Sequence, residues 1–256
     1  MPGPGRSPTR DAEAPLDDPL TSQPRLSPRA RTALIFTAIG GAAYLLTLLA
    51  SIPAAFVVPR SERVAGIGGT IWRGEAALRG GDRLRWRWAP LASLANLAFA
   101  ADFAVDGAGT DLAGRAVLRP HAARLDDLGG TADARLLDLA APKLGFTCAM
   151  PLRLDLAHVA IGGADQRVVG TATSDAGACR PKGGGASVPV PPLAFAATEA
   201  GGRSTGDVAP LAHRRQTLGR FTLTRMGHAT LTVTPAGALL LPFASAAGGM
   251  TVETDL

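Results

Sequence analysis

The chain has 256 residues, a formal net charge of +5 at pH 7, and 46% hydrophobic but only 5% aromatic residues. That length leaves room for one large domain or two small ones. Its basic side is nearly all arginine, Lys143 and Lys182 being the lysines, and outside one short stretch these arginines are scattered. A surface built for phosphate backbones mixes Lys with Arg and gathers them on one face, so composition argues against a nucleic-acid partner.

Residues 1–31 open the chain with Pro2, Pro4, Pro8, Pro15, Pro19, Pro24 and Pro28 among mixed charges and few large apolar residues. Such a segment cannot bury enough surface to fold, which predicts a disordered tail. Residues 32–58 follow without a charge, reading "ALIFTAIGGAAYLLTLLASIPAAFVV" from Ala33. As helix that run would reach about 39 Å, enough to cross a hydrocarbon core of about 30 Å even with Pro53 ending it early. The rival is a cleavable signal peptide, but Pro53-Ala54-Ala55 is a poor small-x-small site and the run continues to Val58. The expectation is an uncleaved anchor. Arg25, Arg29 and Arg31 precede it without an acid after Asp18, whereas Glu62 accompanies Arg60 and Arg63. That bias places the N-terminus in the cytoplasm and residues 59–256 outside.

In residues 59–256 the dominant pattern is period two, broken by Gly, Pro and Asp, as strands and hairpins require. "LRWRW" sends Leu84, Trp86 and Trp88 to one face and Arg83, Arg85 and Arg87 to the other, with Glu75 or Asp102 as candidate cross-strand partners for the arginines. Residues 114–120 and 167–173 read as short strands. In "CAMPLRLDLAHVAI", Leu152, Leu154 and Leu156 alternate with Arg153 and Asp155. The segment from Gly219 reads as a strand and then a hairpin turning near Pro235–Gly237. Short helices are expected over Pro90–Ala98, with Leu91, Leu94 and Leu97 at three-residue steps, and over Ala132–Ala141; loops are expected over 181–192 and 244–249. The fold class is therefore mainly β: one curved, mostly antiparallel sheet domain with one or two short helices behind a single transmembrane helix.

Cys148 and Cys179 both fall in the exported part, where disulfides persist. A bridge there would close a loop of about 30 residues and contribute about 3–4 kcal/mol. Two free thiols, or a metal site with His158, are the alternatives. Gly202-Arg203-Ser204-Thr205-Gly206 matches G-x-S-x-G formally, but no helix pattern follows, so a Gly/Ser turn is the better reading. No phosphate loop is present, the histidines are isolated, and Asp126 and Asp127 are adjacent, so on a regular strand they face opposite ways. No catalytic residue, cofactor site or metal site is expected, and the protein is read as a non-enzyme.

"GGTIWRGEAAL", "LRWRWAPLASL", two widely spaced cysteines and a final "GALLLP" resemble the type II secretion system protein N family (general secretion pathway protein N). The motif residues are Gly69, Thr70, Trp72 and Gly74, then Trp86 or Trp88 with Pro90; a glycine usually ends the second segment, and Asn96 stands nearest here. The resemblance implies a single-pass protein of the bacterial inner membrane with a periplasmic domain. It would be a non-catalytic part of the machine that moves folded proteins across the outer membrane, with inner-membrane platform or secretin-associated subunits as partners. Arg83, Arg85 and Arg87 would offer an interaction face. The alternative is an anchored β-groove protein that binds or transfers lipid along a face holding Leu84, Trp86 and Leu154.

Overall fold

In a computed structural model, residues 27–57, 64–136, 145–240 and 250–255 are described. The chain divides into two compact units, Met1–Leu49 and Ala50–Leu256. Of the disordered tail expected over residues 1–31, residues 1–26 lie outside the described residues, and Pro28–Arg31 belong to a helix instead.

Helix α1 spans Pro28–Ala50 and is long and apolar enough to cross a membrane. It begins earlier than the expected residue 32 because Ser27 caps it, its Oγ and carbonyl accepting from the amides of Ala30 and Arg31; Pro28 suits the first position. It ends before the expected residue 58 because Pro53 is extended and bridges to Thr70, after which Ala54–Phe56 form a 3-10 turn. The charge-free part, Thr32–Ala50, reaches about 29 Å, close to one hydrocarbon core. Within it the Thr32 and Thr47 hydroxyls donate to the Pro28 and Ala43 carbonyls, so neither polar group is left unpaired in an apolar medium.

The second unit is an antiparallel meander. Its strands are β1 (Val64–Gly69), β2 (Arg73–Leu78), β3 (Arg83–Trp88), β4 (Phe99–Gly107), β5 (Thr110–Arg119), β6 (Ala122–Asp133), β7 (Phe146–Ala149) and β8 (Pro151–Gly162). They continue with β9 (Arg167–Ser174), β10 (Gly177–Pro181), β11 (Val188–Val190), β12 (Leu193–Ala200), β13 (Arg203–Pro210), β14 (Gly219–Thr224), β15 (His228–Val233) and β16 (Met250–Asp255). Thirteen strands form one sheet in chain order, with β7, β10 and β11 set aside as a three-stranded sheet. Short helices α2 (Pro90–Asn96) and α3 (Pro235–Leu240) complete the described elements. Cys148 and Cys179 stand directly opposite each other on β7 and β10 and are joined as a disulfide, 31 positions apart. That bridge anchors a small core of Ala134, Met150 and Val190.

The large sheet curls toward one face. Register slips between Ala113 and Arg115, where Asp127 takes φ 53°, and again between Asp155 and His158; such bulges bend a strand and raise its twist. Farther along, the Val168 amide donates to Ser204 Oγ (3.0 Å) two strands away, and the Gln166 amide reaches the Arg225 carbonyl (3.1 Å). Ser204 stands opposite Leu223, so the curl closes over the side that carries the apolar residues.

Several local expectations are corrected. The last hairpin turns at Arg225–Gly227, where Gly227 has φ 90°, and not at Pro235–Gly237. Residues 235–240 are instead a helix, because Thr234 Oγ1 accepts from the Gly237 amide and Pro235 takes the first position. Ala132 and Asp133 end β6, so of the helix expected over Ala132–Ala141 the described helical residue is Leu136, and residues 137–144 lie outside the described set. The expected loop 181–192 contains strand β11; residues 244–249 are also outside the description. Finally, the left-handed residue ending α2 is Leu97, at φ 46°, not Asn96, whose side chain bonds the Ala92 carbonyl.

Candidate functional site

The motif residues converge on a single hook at the start of the sheet unit. Gly69, at φ 80°, begins the tight turn from β1 to β2, and a Cβ there would strike the Arg73 carbonyl and the Gly74 backbone. Thr70 closes the turn, its amide donating to the Arg73 carbonyl at 2.9 Å while its hydroxyl accepts from the Arg73 amide. The Ile71 amide then binds the Ile52 carbonyl (3.1 Å), tying the segment after α1 to the sheet. Gly74 lies under the Trp86 indole, where any Cβ would collide with the ring. Trp86 Nε1 donates to the Ile71 carbonyl (3.2 Å), and the Trp88 amide donates to the Trp72 carbonyl (2.7 Å).

The hook extends into α2 through aromatic contact. The Trp72 and Trp88 rings are 4.7 Å apart, with Phe99 at 6.4 Å from Trp72. Trp88 Nε1 donates to Ser93 Oγ (2.8 Å), which also accepts from the Ala100 amide, while Pro90 starts the helix. Gly69, Thr70, Trp72, Gly74, Trp86, Trp88 and Pro90 thus lie together. The two cysteines lie elsewhere, beside the beginning of β8.

Away from the hook the sheet has two unlike faces. One register row runs Ile67, Ala76, Leu84, Val105, Leu112, Gly130, Leu154, Ala172, Phe195, Val208, Gly219, Val233, Met250, with no polar residue on any of the thirteen strands. Most of its large described members are only half buried; Leu112 and Val233 are buried, Val233 beside Gly237 of α3. A sheet ordinarily covers such a face with another layer. This one leaves an apolar trough.

A row three residues along β2 to β5 from the first, on the other side, is charged: Arg73, Arg87, Asp102, Arg115, and then Asp126 and His158. The three expected arginines do line this face, above a shallow depression of about 600 Å³ bordered by Arg73, Glu75, Arg85, Arg87 and Asp102. Their partners differ in part from the expected ones. Glu75 lies 4.0 Å from Arg83, Asp106 takes Arg85 at 2.6 Å, and Asp102 is held by Arg115 at 2.7 Å. Among the described residues, Arg87 has no ion-pair partner. The pairs are solvent-exposed and of small energetic weight, so the face leaves its charge at the surface and adds little to the stability of the fold.

The same row ends in a half-buried cluster that sequence reasoning missed. Asp126 meets Arg124 (2.9 Å) and His158 Nδ1 (2.7 Å), His158 standing directly opposite Asp126 on the neighbouring strand. Burial and then the Arg167 cation hold the His158 pKa below its ordinary 6.5, against the pull of Asp126.

Ser204 is neither in a turn nor exposed. The turn is Gly201–Gly202, and Ser204 lies within β13, 1% exposed, its oxygen accepting from Val168. That is not a nucleophile elbow. Among the described residues no three His, Cys, Asp or Glu side chains gather as metal ligands. No family model, no curated protein and no solved structure matches this chain.

Proposed function

We propose that the chain is a non-catalytic, single-pass inner-membrane component of the type II protein secretion machine, of the protein N kind. Its N-terminus lies in the cytoplasm and its sheet unit acts through periplasmic contacts with other subunits. The observation that supports this reading is the hook, in which each motif residue has a distinct structural task. The motif therefore acts as one device joining the membrane-side segment to the sheet, and not as a chance run of residues. The charged row with Arg83, Arg85 and Arg87 supplies a face for subunit contact. Deleting the protein should lower release of secreted proteins into the medium while general export to the periplasm continues. Gly74→Val, which cannot coexist with the Trp86 ring, should do the same. Normal release in the deletion strain would overturn the proposal.

The uninterrupted apolar row favours a second reading, a groove that binds or transfers lipid chains. A photoreactive fatty acid that cross-links to the full chain near Leu154 or Phe195 would support it, and labelling confined to α1 would exclude it.

A further inference from the structure

We infer that α2 is a membrane-surface contact of the sheet unit; this rests on reading α1 as a membrane anchor. Helix α2 carries no charged residue, and Leu91, Leu94 and Leu97 are 81%, 70% and 91% exposed. Three large apolar side chains on so short a helix are not scattered surface residues but a patch. Leu97 sharpens the point. It occupies a left-handed position that glycine or asparagine would fill with less strain, so a leucine there incurs strain while gaining nothing from the protein's own core.

Its place in the fold names the occupant. Ile52 is the second residue after α1, and its carbonyl holds Ile71; the next residue, Trp72, packs at a tilt against Trp88, which leads into α2. The chain that leaves α1 and the leucine patch are therefore at one end of the sheet unit, where Phe56 is also exposed. Cations flank the patch: Arg87 lies two residues before the helix cap Ala89, and Arg119 donates to the Asn96 carbonyl at its end. A short apolar helix between arginines fits an anionic bilayer surface, with leucines below the headgroups and guanidinium groups among them. A partner protein's apolar patch would need neither the cations nor this closeness to the anchor.

The test uses the full chain, in which among the described residues no free cysteine competes for label. Leu94→Cys, Ala108→Cys and Leu45→Cys would each carry an environment-sensitive NBD label in phosphatidylcholine–phosphatidylglycerol vesicles containing doxyl lipids. Ala108 sits exposed in the turn at the far end of β4, about 30 Å from α2; Leu45 lies within α1. The label at Leu94 should be blue-shifted, quenched by doxyl lipid and at least about threefold less accessible to iodide than the label at Ala108. Equal iodide access at Leu94 and Ala108 with Leu45 quenched by lipid overturns the seating of α2 alone. If Leu45 also escapes lipid quenching, the anchor reading falls with it. All three sites are exposed, so the substitutions leave folding intact and unchanged circular dichroism is expected.

Discussion

A leucine held at φ 46° costs about 1–2 kcal/mol that glycine does not. Leu97→Gly should therefore raise the folding stability of the detergent-solubilised chain by about 1 kcal/mol in urea titration, while weakening lipid quenching of a label on α2. A loss of stability would mean that Leu97 packs in the fold. His158 carries the second residue-scale prediction. Its folded pKa is depressed, so the unfolded chain binds the proton first; stability is steady above about pH 7 and falls as pH drops through about 6.5 toward the lower folded value. Its Nε2 is buried without a partner, and protonation would place a third cation beside Arg167 and Arg124. Melting temperatures at pH 8, 7, 6 and 5 should show that loss, and His158→Gln should flatten it. An unchanged slope in the variant would assign the loss to carboxylates. Neither feature was legible in the sequence. Which residue turns left-handed depends on Asn96 bonding back to Ala92, and the His158–Asp126 contact depends on the register in which β6 pairs with β8, two strands far apart in sequence.

At the scale of elements, the alternation in "LRWRW" and "LRLDL" was legible because one face is exposed and the other half-buried. The same logic misplaced the last hairpin. Pro235–Gly237 reads as a turn, although a hydroxyl before a proline, here Thr234, is equally a helix start, and the turn between β14 and β15 needs only Gly227. The curl was out of reach, since it depends on pairing between strands distant in sequence. Its clearest fastening is the bond from the Val168 amide to Ser204, with Arg167 and Arg225 both reaching Glu199 (3.6 and 3.3 Å). Ser204→Ala would leave that amide without its acceptor in a site where Ser204 itself is fully buried. The expected cost is about 1–3 kcal/mol in chemical denaturation, with the β9–β13 region losing hydrogen-exchange protection first. Retained stability would show that the curl is held by the ion pairs alone.

For the whole molecule, the sheet separates two kinds of surface that each proposed role would use differently. A subunit contact through charge depends on the arginine side, and lipid passage depends on the apolar trough. Phe195 stands mid-row between Ala172 and Val208 with Gly206 beneath its ring, so Phe195→Asp puts a carboxylate at the trough's centre. Arg87, unpaired among the described residues, can be reversed to Glu without breaking an ion pair, though the new carboxylate will face Asp102. In full-length protein held in nanodiscs, binding of a fluorescent fatty acid should weaken at least tenfold in Phe195→Asp and stay unchanged in Arg87→Glu if the trough holds lipid. In cells, Arg87→Glu should reduce secretion more than Phe195→Asp if the charged face docks a subunit, provided immunoblots show equal amounts of both variants. Because the two substitutions lie on opposite faces of one sheet, a shared effect of both would indicate a loss of fold, and only opposed effects assign a face to a function.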